Sequence, residues 1–374
     1  MEHLGHMGWS EEQSGLLDVA TRFCREKSPI KKVRVLLEDE SGFDAGVWKE
    51  IGELGWLGIA IPEEYGGVGL GMAEVAPIME QMGRSLMATP FASTTLAAQA
   101  LLTGGTQSQK KTLLPKLAEG AIATLALCED NNDWDLQNIS ARAEKHGEVL
   151  RLSGKKQLVC DAASAQWIFV SVLVDSAPIL VAIEKTDLPD GALRRETIID
   201  ETRRSYEVTL DGIEVPVAAL FDSDKTRTTF AHIHLVANLL AVAEMVGGTG
   251  AVIDYTIEYL NTRKQFGKLI GAYQALKHPT VDAFLDYEQA RSHLYGAANC
   301  FNEQGTGEIA TRMAKAQADK AFSFAADRAI QFYGGFGFTY DCDAQLFRRR
   351  AIWHASQYGD AAYHKKQLAT LLLG

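Results

Sequence analysis

The strongest constraint on this chain is that its hydrophobic period changes twice. From Ser10 to about Gly120 apolar residues recur at helical spacing. From Ala121 to about Val217 short runs such as "ATLALCE", "WIFVSVLV", "PILVAIE" and "SYEVTLDGIEV" cluster or alternate β-branched residues between turn signals. Beyond Asp222 the helical period returns and lasts to Leu372. A chain patterned in this order reads as mainly α with a central β domain. We expect an N-terminal helical domain over 1–120, a middle β-barrel or sandwich domain over 121–223, and a C-terminal four-helix bundle over 224–374. The 374 residues suffice for two or three packed domains. Local signals agree: Ser10 followed by Gln13 is a capping-box pattern at a helix start, and His146-Gly147 marks a hairpin.

Composition excludes several function classes. A formal charge of −11 argues against a general nucleic-acid binder, which needs clustered Lys and Arg. The triplet Arg348, Arg349 and Arg350 is expected on a solvated helix surface. Cys24, Cys128, Cys160, Cys300 and Cys342 are scattered without a CxxC pair, which suggests reduced thiols rather than a disulfide framework or a zinc site. His232 and His234, two apart, face different sides of a helix, so no metal site is expected. No unbroken apolar run reaches membrane-spanning length, and "MEHLGHMGWSEEQ" lacks a basic segment followed by an apolar core. The expectation is a cytoplasmic protein with no membrane insertion.

Three glycine-bearing stretches ask for a functional reading. Gly66, Gly67, Gly69 and Gly71 follow a helix rather than a strand, so they read as a structural loop and not as a dinucleotide fingerprint. In "NTRKQFGKLIGAYQALKH" a long helix ends at a turn presenting Arg263 and Gln265 beside Phe266. Arg forks to phosphate oxygens and Phe offers a face to a flat ring, a pairing that suits a nucleotide. In "QFYGGFGFTY", Gln331 to Tyr340, glycines allow either a close approach by another molecule or a plain helix cap.

These segments, with "PEEYGG" and "QKKTLLPKLAEG", in this order and spacing, resemble the acyl-CoA dehydrogenase family from about Glu11 to the end. The resemblance implies FAD as cofactor, an acyl-CoA substrate, and a homotetramer or related assembly in which FAD lies between subunits. It also implies that Arg263, Gln265, Phe266 and Gln274, together with Gln331, Gly334 and Gly335, reach the adenosine and pyrophosphate of FAD held mainly by a neighbouring subunit. Backbone N–H groups at a helix terminus suit that pyrophosphate. The reaction implied removes a proton from the α-carbon of the thioester to a carboxylate base and passes hydride from the β-carbon to flavin N5. An electron-transfer flavoprotein or similar acceptor then empties the flavin.

The chain departs from the family pattern where the base belongs. The customary Glu before a Gly near the carboxyl end is replaced by Gln357 and Tyr358 ahead of Gly359, and the alternative Glu on the long helix by Ala237. Glu244, two turns further on the same face, is the first substitute, because a carboxylate on an apolar stretch is desolvated as a base should be. A buried or interface Glu paired with an Arg is its blander reading. Asp360 is the second, with a helix N-cap as its blander role. Family members also show Thr-Glu-Pro and Gly-Ser-Asp in the β domain. Here "LCEDNNDWD" keeps Glu129, expected to serve FAD, and little else, while the usual aromatic-Ile-Thr run is Leu158, Val159 and Cys160. Asn238 stands where the family has a CoA-facing Arg. The leading expectation is an FAD-dependent acyl-CoA dehydrogenase. Its rival is a non-catalytic partner subunit of an α2β2 heterotetramer that completes a neighbour's FAD site, an arrangement known among relatives acting on steroid side-chain thioesters. A flavin-dependent monooxygenase or nitroalkane oxidase on the same fold is a third possibility, since fold does not fix reaction.

Overall fold

The computed structural model describes residues 10–131 and 133–374. Most of the amino-terminal stretch read above for a leader, and Asn132 of the "LCEDNNDWD" segment, lie outside them. Helices come first: α1 (Glu11–Lys27), α2 (Ile30–Leu37), α3 (Ala45–Glu53), α4 (Met72–Arg84), α5 (Phe91–Gly104) and α6 (Gln107–Ala118). Strands follow: β1 (Ala123–Ala126), β2 (Arg142–His146), β3 (Val149–Ser153), β4 (Lys155–Cys160), β5 (Trp167–Val174), β6 (Ala177–Glu184), β7 (Leu193–Arg195), β8 (Ser205–Thr209) and β9 (Glu214–Pro216). The last third holds α7 (Thr226–Leu260), a two-strand ribbon of β10 (Lys264–Gln265) and β11 (Lys268–Leu269), then α8 (Gln274–Asn299), α9 (Thr306–Tyr333), α10 (Ala344–Ala355) and α11 (Ala361–Leu373). The order of helices, sheet and helices is the one the changes of period demand. Ser10 and Gln13 close the expected capping box on α1, and β2 and β3 pair His146 with Val149 across the expected hairpin.

The chain groups into two compact units. One comprises residues 38–71 and 88–237 and contains the sheets. A six-stranded sheet runs β1-β5-β2-β3-β9 with β6 against β5, and a three-stranded sheet runs β4-β8-β7. β5 lies between neighbours, so its run Trp167–Val172 is buried on both faces, whereas β3 alternates exposed and buried residues. In this unit the N–H groups of Gly67, Val68, Gly69 and Leu70 bond to Pro62, Gly58, Ile61 and Ile59 carbonyls. Their donors are turned inward, which is what a structural loop requires and a phosphate cradle cannot have.

The described residues of the other unit are 10–37, 72–87 and 238–374. Within it α8, α10 and α11 all pack on α9, and α1 packs on α4. α4 crosses α7 with backbones in close approach: a Cβ at Gly83 would collide with the Glu244 backbone, and one at Gly247 with the Glu80 carbonyl. α7 corrects one expectation. It is long and apolar enough to cross a bilayer, but its most apolar window is 94% buried inside the protein, so its hydrophobicity serves the core. The arginine triplet also splits. Arg350 is 1% exposed, while Arg348 pairs with Asp327 at 2.6 Å and Arg349 lies over the Tyr340 ring.

Candidate active site

The two helix ends singled out from sequence lie side by side in the second unit. α7 stops at Leu260, with the Arg263 N–H bonded to Tyr259 O at 2.9 Å. β10 and β11 then turn through Phe266 and Gly267, whose φ angles are +53° and +81°. Two successive left-handed residues make the turn that suits a hairpin's twist, and a position usually taken by Asn or Asp is taken here by Phe. The strained Phe266 is 91% exposed, so nothing in its own chain explains the choice. Arg263, Gln265 and Gln274 are exposed, and the Arg263 guanidinium has no hydrogen-bond or ion-pair partner among the described residues. Tyr273 steadies the ribbon by donating its hydroxyl to Gln265 O at 3.2 Å beneath Lys268.

α9 ends one residue before Gly334, which has φ +63° and ψ −139°, a backbone region essentially closed to residues with a Cβ. Gln331, Gly334 and Gly335 are exposed, as are Phe336, Phe338 and Tyr340. Tyr333, the last helical residue, stacks on Tyr259 at 3.9 Å and on Tyr255 at 4.8 Å, and donates its hydroxyl to Tyr255 O. Burial pushes the Tyr255 phenol up to about 12, and burial with the Tyr255 contact raises Tyr333 further. Tyr259 lies one turn before Arg263 and Tyr333 adjoins Gly334, so this stack brings the arginine and the glycines together. An uncommitted arginine, a solvent-facing ring and exposed glycine backbone on one rim fit a dinucleotide's phosphates and adenine. A plain helix cap would need none but the glycine.

The predicted carboxylates tell a different story. Glu129, expected at the cofactor, is buried inside the β unit with its carboxylate turned to the chain's own donors. It accepts from Lys156 Nζ at 2.6 Å, the Ser140 N–H at 2.8 Å, the Ala141 N–H at 3.1 Å and the Ser140 hydroxyl, which occupies both oxygens. Burial opposes its charge, but these donors outweigh it and hold the carboxyl below its usual range. Glu244 is 2% exposed and ion-paired with Arg350, with His354 Nε2 at 3.3 Å. The Arg-paired alternative raised from sequence is thus what the core contains, and a carboxylate so engaged is badly placed to take a proton from substrate. Asp360 caps α11, accepting from the Tyr363 N–H at 2.7 Å.

Sequence reasoning missed two buried lysines. Lys156 answers Glu129. Lys315 on α9 donates to the carbonyls of His354, Gln357 and Gly359 at 3.0, 3.2 and 2.8 Å, pinning the turn between α10 and α11. Burial brings Lys315 down to about 8, against the pull of Asp319 and Asp360. Its signal was present: Thr311, Lys315, Ala318 and Phe322 share the inward stripe of α9. The turn it pins holds Tyr358 at φ +54°, and His364 Nε2 lies 3.1 Å from the Tyr358 carbonyl.

Comparison with known proteins gives this geometry a family. The acyl-CoA dehydrogenase N-terminal domain matches residues 10–121 and the C-terminal domain residues 236–372. The chain is similar to the acyl-CoA dehydrogenase fadE12 of Mycobacterium bovis, at 30% identity over 78% of this chain and 79% of that one. It is also similar to a solved variant of the Tcur3481-Tcur3483 steroid ACAD, at TM-score 0.85 and 27% identity over 97% and 98% of the two chains. The ChsE4-ChsE5 complex of Mycobacterium tuberculosis shares the fold, at TM-score 0.88 and 23% identity over 97% and 98%. The chain belongs to the acyl-CoA dehydrogenase family, FAD-dependent oxidoreductases that act on CH–CH groups.

Proposed function

We propose that this chain serves acyl-CoA dehydrogenation as one of two unlike subunits, lending its helix ends to an FAD site whose catalytic base comes from the other polypeptide. The observation that carries this reading is the fate of the carboxylates. Ala237 and the Gln357–Tyr358 pair occupy the positions where family members keep the base, and both substitutes are engaged within the chain, Glu244 by Arg350 and Asp360 by the α11 terminus. The elements offered to a cofactor point the other way, since Arg263 and Phe266 are exposed and uncommitted, and the Gly334–Gly335 backbone is exposed even though the Gly334 N–H bonds to Gln331 O and its carbonyl accepts from the Gly337 N–H.

Bound FAD would supply the hydride acceptor. In this reading Arg263 faces the cofactor's phosphates, Phe266 lies against its flat adenine, and the Gly334–Gly335 backbone permits close approach by the pyrophosphate. The proton leaving the substrate's α-carbon goes to a carboxylate of the other polypeptide. The solved relative that joins Tcur3481 with Tcur3483 as a steroid ACAD supports a two-chain assembly and a bulky, ring-bearing acyl group. An electron-transfer flavoprotein is the natural acceptor for the electrons.

The chain purified alone should hold FAD well below one per subunit and should not bleach under anaerobic short-chain, branched or steroid side-chain CoA thioesters. A yellow, stoichiometric flavoprotein reduced by any of these thioesters overturns the proposal. In that event Glu244→Gln asks whether the buried pair conceals the base after all, since loss of reduction with FAD retained would reinstate it.

A further inference from the structure

The glycine segment after α9 is built to present its backbone, yet little inside it would keep it in place. Its internal bonds are short-range: the Gly337 N–H to Gly334 O, the Thr339 N–H and hydroxyl to Phe336 O, and the Cys342 N–H to Thr339 O. At one end the Tyr333 stack anchors it. At the other end the anchor comes from a helix some three hundred positions earlier in the sequence.

Arg34 on α2 reaches across with three of its nitrogens. Nη1 donates to Tyr340 O at 2.9 Å and Nη2 to Asp341 O at 3.0 Å, while Nε and Nη2 grip Asp343 Oδ1 at 2.9 and 2.6 Å. Asp343 stands at the N-cap position of α10, where an Asp normally accepts from the helix's own N–H groups, yet it makes no such bond. The helix forgoes its cap and the carboxylate goes to Arg34 instead. A guanidinium is the group for this task because its planar fork fixes several acceptors at once in one geometry.

Resting on the reading that the Gly334 segment holds FAD, we propose that Arg34 is a positioning residue for the cofactor site. It touches no cofactor itself. By tethering Tyr340, Asp341 and Asp343 it fixes the far end of the segment, so that the Gly334–Gly335 backbone meets the pyrophosphate already ordered. Without the tether, binding would have to order that backbone at the moment FAD arrives, and affinity would fall by the cost of doing so.

The test uses the full chain in the assembly that retains FAD, with FAD itself as the probe. Arg34→Met, Arg34→Lys and Arg263→Ala are compared by FAD dissociation constant and by hydrogen exchange of the amides in 334–343. Arg34→Met should weaken FAD about tenfold or more and speed exchange in that segment by a similar factor. Arg34→Lys should fall between, because a single ammonium cannot span the three acceptors. Arg263→Ala should weaken FAD and leave exchange alone. If Arg34→Met binds FAD like the wild type while Arg263→Ala does not, the tether is refuted and the cofactor reading stands. If neither variant changes FAD binding, the cofactor reading itself fails. Weakened FAD with unchanged exchange also overturns the proposal, since Arg34 would then act other than by ordering the segment. Should Arg34→Met not fold, Asp343→Ala removes the carboxylate arm alone and must shift both readouts in the same direction, by less.

Discussion

The rim formed by the ends of α7 and α9 and the charged interior of the same chain handle polar groups in opposite ways. On the rim, Arg263, Gln265, Gln274, Gln331 and the rings of Phe266 and Phe338 are exposed, and local geometry is stretched to present them. In the interior, Glu129, Lys156, Glu244, Lys315 and Arg350 are at most 5% exposed, and each is engaged by other groups of the chain. A buried charge must be answered from within the protein, whereas an exposed group at a strained turn waits for something outside it. The groups left available to an outside molecule therefore sit on the rim, while the carboxylates of Glu244 and Glu129 are engaged inside the chain.

The contrast is broken most easily at Arg350. Arg350→Met leaves Glu244 buried beside His354 without its guanidinium, and should cost about 3–5 kcal/mol in a denaturant titration. Adding Glu244→Gln should restore much of that loss, and if the single substitution is harmless the interior is not organised as described. Glu129→Gln is the milder case, because an amide oxygen can still accept from Lys156, and it should cost about 1.5–3 kcal/mol at neutral pH. Its pH dependence sharpens the point. The Glu129 carboxyl is held below its usual range, so its stabilisation is complete above the ordinary Glu value and is lost as pH falls through the lower folded value. The variant should show less acid destabilisation than the wild type, and equal slopes would remove Glu129 from the account. The smallest effect on folding belongs to the rim. Arg263→Ala should leave the unfolding midpoint of the cofactor-free chain unchanged while lowering FAD retention, and a large loss of stability would place Arg263 with the interior residues.

Several of these features were legible before any coordinates. The two changes of period give the order of elements because a half-buried strand buries alternate residues and a helix every third or fourth, and the chain carries the two patterns in turn. Ser10–Gln13 and His146–Gly147 were readable because caps and tight turns are decided by neighbours in sequence. The rim was readable for a related reason, since Arg263 through Gln274 and Gln331 through Gly335 are contiguous segments. The pairings of Glu244 with Arg350 and of Glu129 with Lys156 were not. Each joins residues 106 and 27 positions apart, and no local pattern names the partner.

By itself, then, the sequence determined which backbone segments would be helix, strand or glycine-rich turn, because those choices depend on side-chain period and on residues a few places away. Tertiary structure alone decided which charges were left over. Whether a carboxylate acts as a base or as half of an ion pair depends on what packing brings within about 3 Å of it, and packing joins residues without regard to their order along the chain.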